Sequence, residues 1–231
     1  MKGGARVVVF ARAAIPGQVK TRLAAGIGID AATRVYRALV ADTIGSIFSA
    51  PGFAGTLACA PAPDAFLSDL AARWGLDLDS QRGAGLHERL CDATRVARAR
   101  GAGCVVFIGS DTPTLPRAFV DRALAKAAAG ADVVFGPSHD GGYALIALGP
   151  RVDPEVLFRD VPWDTDHALV ATRANAARAG WRVACVPTWY DIDEPADLDY
   201  LRGHLAFLDP ASPGGAPETR RALADLPGNP N

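Results

Sequence analysis

The sequence predicts a single α/β domain, a three-layer sandwich in which helices cover both faces of a mostly parallel central sheet. Three observations lead there. Short, uninterrupted apolar runs such as Val105-Val106-Phe107-Ile108 suit strands buried on both faces, as a parallel sheet requires. These runs alternate along the chain with longer stretches of helical period. At 231 residues and 49% apolar content the chain can bury one full core, and no linker or internal repeat divides it before Asp209. Residues 1–208 are therefore expected to form the domain, with 209–231 as a Pro/Gly-rich, peripheral or poorly ordered tail.

The run at Val105 is the expected centre of the sheet. It leads into Gly109-Ser110-Asp111-Thr112-Pro113. Pro113 has no N–H with which to extend a ladder, so the strand should end by Asp111. That places a carboxylate at the carboxyl end of a central strand, where open α/β sheets bind their ligands. Asp111 there either holds a hard cation such as magnesium with its phosphate, or closes a turn and caps the next helix.

The other elements follow in order. Arg6 to Phe10 reads as the first buried strand, opening into a shaped loop, Ala11 to Leu23, that carries Arg12, Lys20 and Arg22 around Pro16-Gly17. Three cations after a strand favour a phosphate site over a solvated basic turn, although the GxxxxGK[ST] spacing of a Walker A loop is absent. Asp30 to Ser49 is an amphipathic helix stopped by Pro51-Gly52. Strand Thr56 to Ala60, helix Asp64 to Trp74 and a short strand Leu76 to Gln81 come next. In Gln81-Arg82-Gly83-Ala84-Gly85-Leu86 the glycines signal a turn before a helix from His87 to Arg100, and Gln81 either reads a nucleotide base edge or serves the fold.

Pro116 to Gly130 is a helix with proline at its start and glycine past its end, and Ala131 to Phe135 a further buried strand. Gly136 to Tyr143 contains His139, Asp140 and the pair Gly141-Gly142, and Ala144 to Leu148 is a strand again. The glycine pair allows close approach of a ligand or makes a tight turn, and Asp140 beside it would bind an acceptor hydroxyl or act as a general base. Tyr143 either stacks on a sugar or base, or enters the core. Asp164 or Thr165 is expected to cap a helix running to about Gly180, and Arg182 to Val186 is the last strand. In Asp191-Ile192-Asp193-Glu194-Pro195 the two aspartates alternate with isoleucine, so both face one side of an extended segment. They either complete a metal site with Asp111 or favour the dipole of the helix that Glu194 caps and Pro195 opens. A short helix is expected around Thr219 to Leu226.

Composition narrows the partners. With 24 basic and 25 acidic residues the net charge is −1, so no global basic field recruits nucleic acid or an anionic membrane. No apolar span is long enough for a membrane helix and no signal-peptide pattern opens the chain, which leads to the expectation of a cytoplasmic protein. Cys59, Cys91, Cys104 and Cys185 show no CxxC or Cys/His metal-ligand spacing, and those within apolar runs, Cys185 included, are expected as buried free thiols.

In order along the chain stand FARAAIPGQVKTRL, FIGSDTP, GPSHDGGYALIAL, PWDT and YDIDEPADL. This set strongly resembles an uncharacterised bacterial family of GT-A-fold transferases, provisionally labelled glycosyltransferases, some of whose members are associated with arsenosugar biosynthesis or with radical-SAM/selenodomain gene neighbourhoods. The likeness runs from Arg6 to about Leu201 and says nothing about the tail. It implies the nucleotide-diphospho-sugar transferase fold, Mg2+ or Mn2+ as cofactor, and a nucleotide or nucleotide sugar plus a small-molecule acceptor as partners. Under it, Arg12, Gly17, Lys20, Arg22, Gln81 and Ser110 would surround the nucleotide and its phosphates, and Asp111 and Asp193 would bind metal. Gly141, Gly142, Tyr143 and Trp163 would shape the substrate pocket, and Asp140, Lys20 and Arg22 would carry catalysis. Two positions depart from the family pattern: Ala13-Ala14, where proline is common, and His139, where an acidic or small residue is usual. The expectation is a metal-dependent glycosyltransferase using a nucleotide-diphosphate sugar. The alternative is a nucleotidyltransferase that releases pyrophosphate, because molybdenum-cofactor and 2-phospholactate guanylyltransferases share the broad fold and a similar basic loop.

Overall fold

In the computed structural model, which describes residues 3–163 and 165–226, β1 (Gly4–Arg12) leads through α1 (Thr21–Ile27) and α2 (Ile29–Ile47) to β2 (Ala54–Ala60). Then come α3 (Ala65–Trp74), β3 (Asp77–Ser80), α4 (Leu86–Ala99), β4 (Ala102–Gly109), α5 (Arg117–Ala128), β5 (Val133–Pro137) and β6 (Tyr143–Leu148). The chain closes with α6 (Pro154–Leu157), α7 (Ala168–Arg178), β7 (Val183–Cys185), α8 (Pro195–Leu205) and α9 (Pro217–Ala224). One seven-stranded sheet forms in the order β3-β2-β1-β4-β6-β5-β7. Only β6 runs against its neighbours β4 and β5, and every other pairing is parallel.

The uninterrupted apolar runs have the reason expected of them: alternate residues of each central strand enter opposite cores. Val7, Val9, Leu57, Val106, Ile108 and Val134 face the layer of α2, α3 and α5. Val8, Ala58, Val105, Phe107, Val133 and Phe135 face α4, α6 and α7. The carboxyl ends of β1, β4 and β5 reach the same edge of the sheet, and β6 starts from it. β1 stands beside β2 on one flank and β4 on the other, so the connections diverge at this edge and leave a crevice.

Several local expectations change. The basic loop ends in a helix, α1, whose Leu23 is fully buried among Leu39, Leu198 and Leu201. The helix α7 begins at Ala168, not at Asp164 or Thr165: Thr165 accepts from the His167 N–H at 3.2 Å and donates to the Pro162 carbonyl at 2.7 Å, and Asp164 lies outside the described residues. Cys59, Cys91 and Cys104 are buried, but Cys185 is exposed, because β7 is a sheet edge. No helix among the described residues is long and apolar enough to cross a membrane.

The segment from Asp209 packs against the domain through residue 226, where composition alone predicted a peripheral or poorly ordered tail. Ala216, Leu223 and Leu226 are buried in the cluster with Val35 and Leu39 of α2. The N-terminus of α9 lacks a local side-chain cap, and Asp42 of α2 supplies one from a distance, accepting from the N–H groups of Glu218 at 3.2 Å and Thr219 at 2.6 Å. Asp42→Ala should therefore cost about 1–2 kcal/mol in a urea melt. Hydrogen exchange should quicken first in residues 216–226, and unchanged protection there would show that Asp42 does not hold the segment.

Candidate active site

The site is built where β4 ends. The chain leaving β7 crosses above the ends of β5 and β4: the Trp189 N–H donates to the Pro137 carbonyl at 2.9 Å and the Ile192 N–H to the Asp111 carbonyl at 3.2 Å. Ile192 turns fully inward, so Asp191 and Asp193 turn outward together toward Asp111, as their alternation predicts. The Asp197 carboxylate accepts from the N–H groups of Asp193 at 2.8 Å and Glu194 at 2.7 Å, which fixes the turn into α8. Carboxylate oxygens of Asp111, Asp191 and Asp193 lie within 4.8 Å of one another.

Lys20 reaches this cluster from the other side of the crevice. Its backbone is left-handed, with φ of 48°, an uncommon conformation for a residue with a side chain, and it starts α1. From there Nζ, with the side chain only 6% exposed, donates to Asp111 Oδ2 and to Asp193 Oδ1 at 2.6 Å each. Arg22, one turn into the site and 65% exposed, pairs with Asp193 Oδ2 at 2.7 Å and Glu194 Oε1 at 3.1 Å. The two cations expected on phosphate thus stand in ion pairs with the two carboxylates expected on metal. Burial opposes the Lys20 charge, but Asp111 and Asp193 outweigh it and raise its pKa. Burial likewise opposes charge on Asp193, yet Lys20 and Arg22 hold it below the usual carboxylate range.

Among the described residues Asp191 makes no ion pair, and Lys20 offsets its surroundings only in part. Burial first, then the neighbouring Asp111, Asp140 and Asp193, push its pKa up to about 7. Three hard oxygen donors, one of them repelled by its neighbours, form a donor set that fits a divalent Mg2+ or Mn2+. Asp191 is the metal candidate that completes the expected pair of Asp111 and Asp193.

The crevice is a cleft of about 740 Å³ lined by Arg22, Asp111, Asp140, Gly142, Tyr143 and Trp163 among others. Asp140 is exposed and shapes the β5–β6 turn, its Oδ1 accepting from the Gly142 N–H at 2.9 Å and from the Ser138 hydroxyl. Gly141 has φ of 85°, and a Cβ there would stand 2.1 Å from the Asp166 carbonyl oxygen, so only glycine lets this turn lie against the 165–169 segment. Tyr143 belongs as much to the core as to the pocket, edge-on to both Phe135 and Trp163, and burial raises the pKa of its hydroxyl. Trp163 Nε1 and Thr112 Oγ1 are buried on this wall with no protein partner among the described residues. Thr112 carried no signal in the sequence beyond its place after Asp111.

Four residues expected around the nucleotide, Ser110, Gln81, Arg12 and Gly17, are not among those lining the cleft around Asp111. The Ser110 hydroxyl is buried 3.4 Å from Tyr36 Oη and does not line the cleft, so it serves the packing of α2. Gln81 Nε2 donates to the carbonyls of Ala11 at 3.1 Å and Ala58 at 2.8 Å, bracing the ends of β1 and β2. Arg12 is exposed at the end of β1, and Gly17 takes φ of 77° in the loop between Arg12 and Lys20. Neither is among the residues that line the cleft around Asp111.

Residues 43–165 match the model of a bacterial family described as "Uncharacterized protein conserved in bacteria (DUF2064)". The chain belongs to this family. Two relatives of this DUF2064 protein are phosphoenolpyruvate guanylyltransferases. That of Geodermatophilus obscurus is 33% identical over 186 residues, covering 77% of this chain and 76% of the relative. That of Sphaerobacter thermophilus is 29% identical, covering 80% and 87%. A crystal structure from Desulfovibrio desulfuricans G20, provisionally named a nucleotide-diphospho-sugar transferase, superposes with a TM-score of 0.82 at 28% identity, covering 95% of this chain and 96% of that one. The fold is thus the expected nucleotide-diphospho-sugar transferase type, and the chain is a transferase.

Two stability measurements check the electrostatics. The ordinary carboxyl value is 3.8 and that of Asp191 is about 7, so between those values the folded state keeps a proton that the unfolded chain has released. Stability therefore falls as pH rises through that window. Asp191→Asn should melt higher than wild type at pH 8 and alike at pH 4, whereas equal melting at both would remove the repulsion inferred for Asp191. Lys20→Met should cost about 2–3 kcal/mol at pH 8, since it strands the partly buried carboxylates of Asp111 and Asp193, with a smaller loss at pH 5. A loss independent of pH would point to packing alone.

Proposed function

We propose that this protein is a nucleotidyltransferase of guanylyl type, moving a nucleoside monophosphate from a nucleoside triphosphate to the phosphate of a small phosphorylated acid. The observation that carries the reading is the pair of phosphoenolpyruvate guanylyltransferases that align with more than three quarters of this chain, at 77% and 80% coverage. It replaces nucleotide-sugar glycosyl transfer as the leading reading.

The site chemistry supports this choice. An acceptor phosphate is already ionised at neutral pH and attacks without a general base. Its oxygen bonds to the α-phosphorus of the triphosphate while the bond from that phosphorus to the bridging β-phosphate oxygen breaks, and pyrophosphate leaves with the electron pair. Asp140, expected as a base, then has no proton to remove, in keeping with its place as the hydrogen-bonded support of the β5–β6 turn. Lys20 stays protonated between its carboxylates and supplies fixed positive charge at the cleft floor. Arg22 is exposed enough to exchange Asp193 and Glu194 for phosphate oxygens. Asp111, Asp191 and Asp193 would hold Mg2+ or Mn2+, which when bound neutralises charge on the phosphates. The buried free thiols Cys59, Cys91 and Cys104 suit a reducing cytoplasm.

Glycosyl transfer is the second reading, favoured by the name of the 28% identical structural neighbour and by an exposed Asp140 on the cleft wall. The test uses the purified protein with GTP, Mg2+ and phosphoenolpyruvate. Pyrophosphate should appear, GTP but not nucleotide sugars should raise the melting temperature, and Arg22→Ala should lower kcat/KM by about 10²–10³ without altering the fold. Stabilisation by a nucleotide sugar, with release of a nucleoside diphosphate and no pyrophosphate, would overturn the proposal in favour of glycosyl transfer.

A further inference from the structure

A second ligand cluster stands apart from the carboxylates of the cleft. His87 and Cys91 are four residues apart on α4 and therefore share one face of the helix. Glu155, in the first turn of α6, closes over that face. One donor atom from each of His87, Cys91 and Glu155 lies within 4.8 Å of the other two. The sequence did not show this, because the third member comes from residues far along the chain and the pair itself matches no zinc-finger spacing.

The three donors differ in kind from those at Asp111. A thiolate, an imidazole and a single carboxylate prefer a borderline-soft ion, whereas three carboxylates prefer a hard one. The geometry is close to what such an ion needs. His87 Nε2 is 3.3 Å from Glu155 Oε2. Two ligands at about 2.0–2.1 Å from a tetrahedral centre stand about 3.3 Å apart. Among the described residues His87 Nε2, which is buried, makes no hydrogen bond, and the Glu155 carboxylate stands beside it. Cys91 is buried and free, so its sulfur is shielded from disulfide exchange while facing the other two donors. Arg95 is 3.9 Å from Glu155 but is paired with Asp92 at 2.8 Å. Glu155 is exposed, so solvent can fill a fourth ligand position.

We propose that His87, Cys91 and Glu155 form a Zn2+ site joining α4 to α6. Binding exchanges the Cys91 thiol proton, released to solvent, for the S–Zn bond, and the thiolate and carboxylate together balance the charge of the ion. The residue before His87, Leu86, lines the active cleft. An ion at this site would therefore clamp the N-terminus of α4, and with it the Gln81–Leu86 turn, to α6 within the same helical layer.

The experiment is metal titration of the full chain, dialysed free of metal and held in excess Mg2+ to saturate the carboxylate cluster. Co2+ is the optical probe and Zn2+ the competitor. The expected result is one Co2+ per chain with a thiolate-to-cobalt charge-transfer band and strong d–d bands of tetrahedral type, all displaced by Zn2+. Cys185→Ser, which removes the exposed thiol, should keep these bands, and Cys91→Ser should abolish the charge-transfer band. Because Cys91 is buried and its substitution can disturb packing, His87→Gln and Glu155→Gln give the second check. Each should weaken Zn2+ at least about tenfold, with the circular dichroism spectrum unchanged. No charge-transfer band, a band lost in Cys185→Ser, or Zn2+ affinity unaffected by His87→Gln and Glu155→Gln would overturn the site.

Discussion

The ion pair of Lys20 with Asp111 and Asp193 is the interaction on which the rest of the site depends. It ties together three segments far apart in sequence: the loop after β1, the end of β4 and the crossing segment before α8. A lysine with 6% of its side chain exposed would not stay charged alone, and Lys20 together with Arg22 in turn favours the charged form of Asp193. Each charge favours the other. The left-handed backbone at Lys20 costs on the order of 1–2 kcal/mol, which the two short charge-assisted bonds offset.

The sheet supplies the frame for that contact. The crevice opens at one edge because β1 lies between β2 and β4, while β6, running against its neighbours, brings the Asp140–Tyr143 turn to the same edge. The segment 189–193 extends the β5 edge through Ser138 and Trp189 and carries two carboxylates over the end of β4. The result is a cleft with Asp111 and Asp193 on its lining, compensated from behind by Lys20, and with Asp191 beside them, where burial and neighbouring carboxylates oppose ionisation. Under the proposed function such a cleft would accept a divalent cation and phosphates together more readily than either alone, because each would relieve the repulsion left by the other.

The two donor clusters differ in the cations they would prefer within one small fold. At Asp111 all donors are carboxylate oxygens, and at His87 sulfur, nitrogen and oxygen converge. The glycine-rich turn from Gln81 to Leu86 lies between them, braced at Gln81 by the β1 and β2 carbonyls and continuing into α4 beside His87. A cleft residue and a metal-clamped helix would then share one short stretch of chain.

Much of this protein is legible in its sequence, because burial periodicity and chain-breaking residues act locally. The apolar runs marked the central strands, Pro113 set a limit that the middle one respects by ending at Gly109, and the alternation of Asp191 with Ile192 and Asp193 placed two carboxylates on one side. The family motifs pointed to the transferase fold. What composition obscured was that the segment after Asp209, with the short helix expected in it, packs on the domain and takes its cap from Asp42, 176 residues before Glu218. Local pattern also could not say that Lys20 and Arg22 would face carboxylates, that Ser110 would turn toward Tyr36, or that Glu155 would close on His87 and Cys91. The sequence by itself determined the layers, the strands and the kinds of chemical group carried to one edge of the sheet. Only the tertiary structure decided which charges meet, because Coulomb energy and ligand geometry depend on distances between segments that no spacing along the chain encodes.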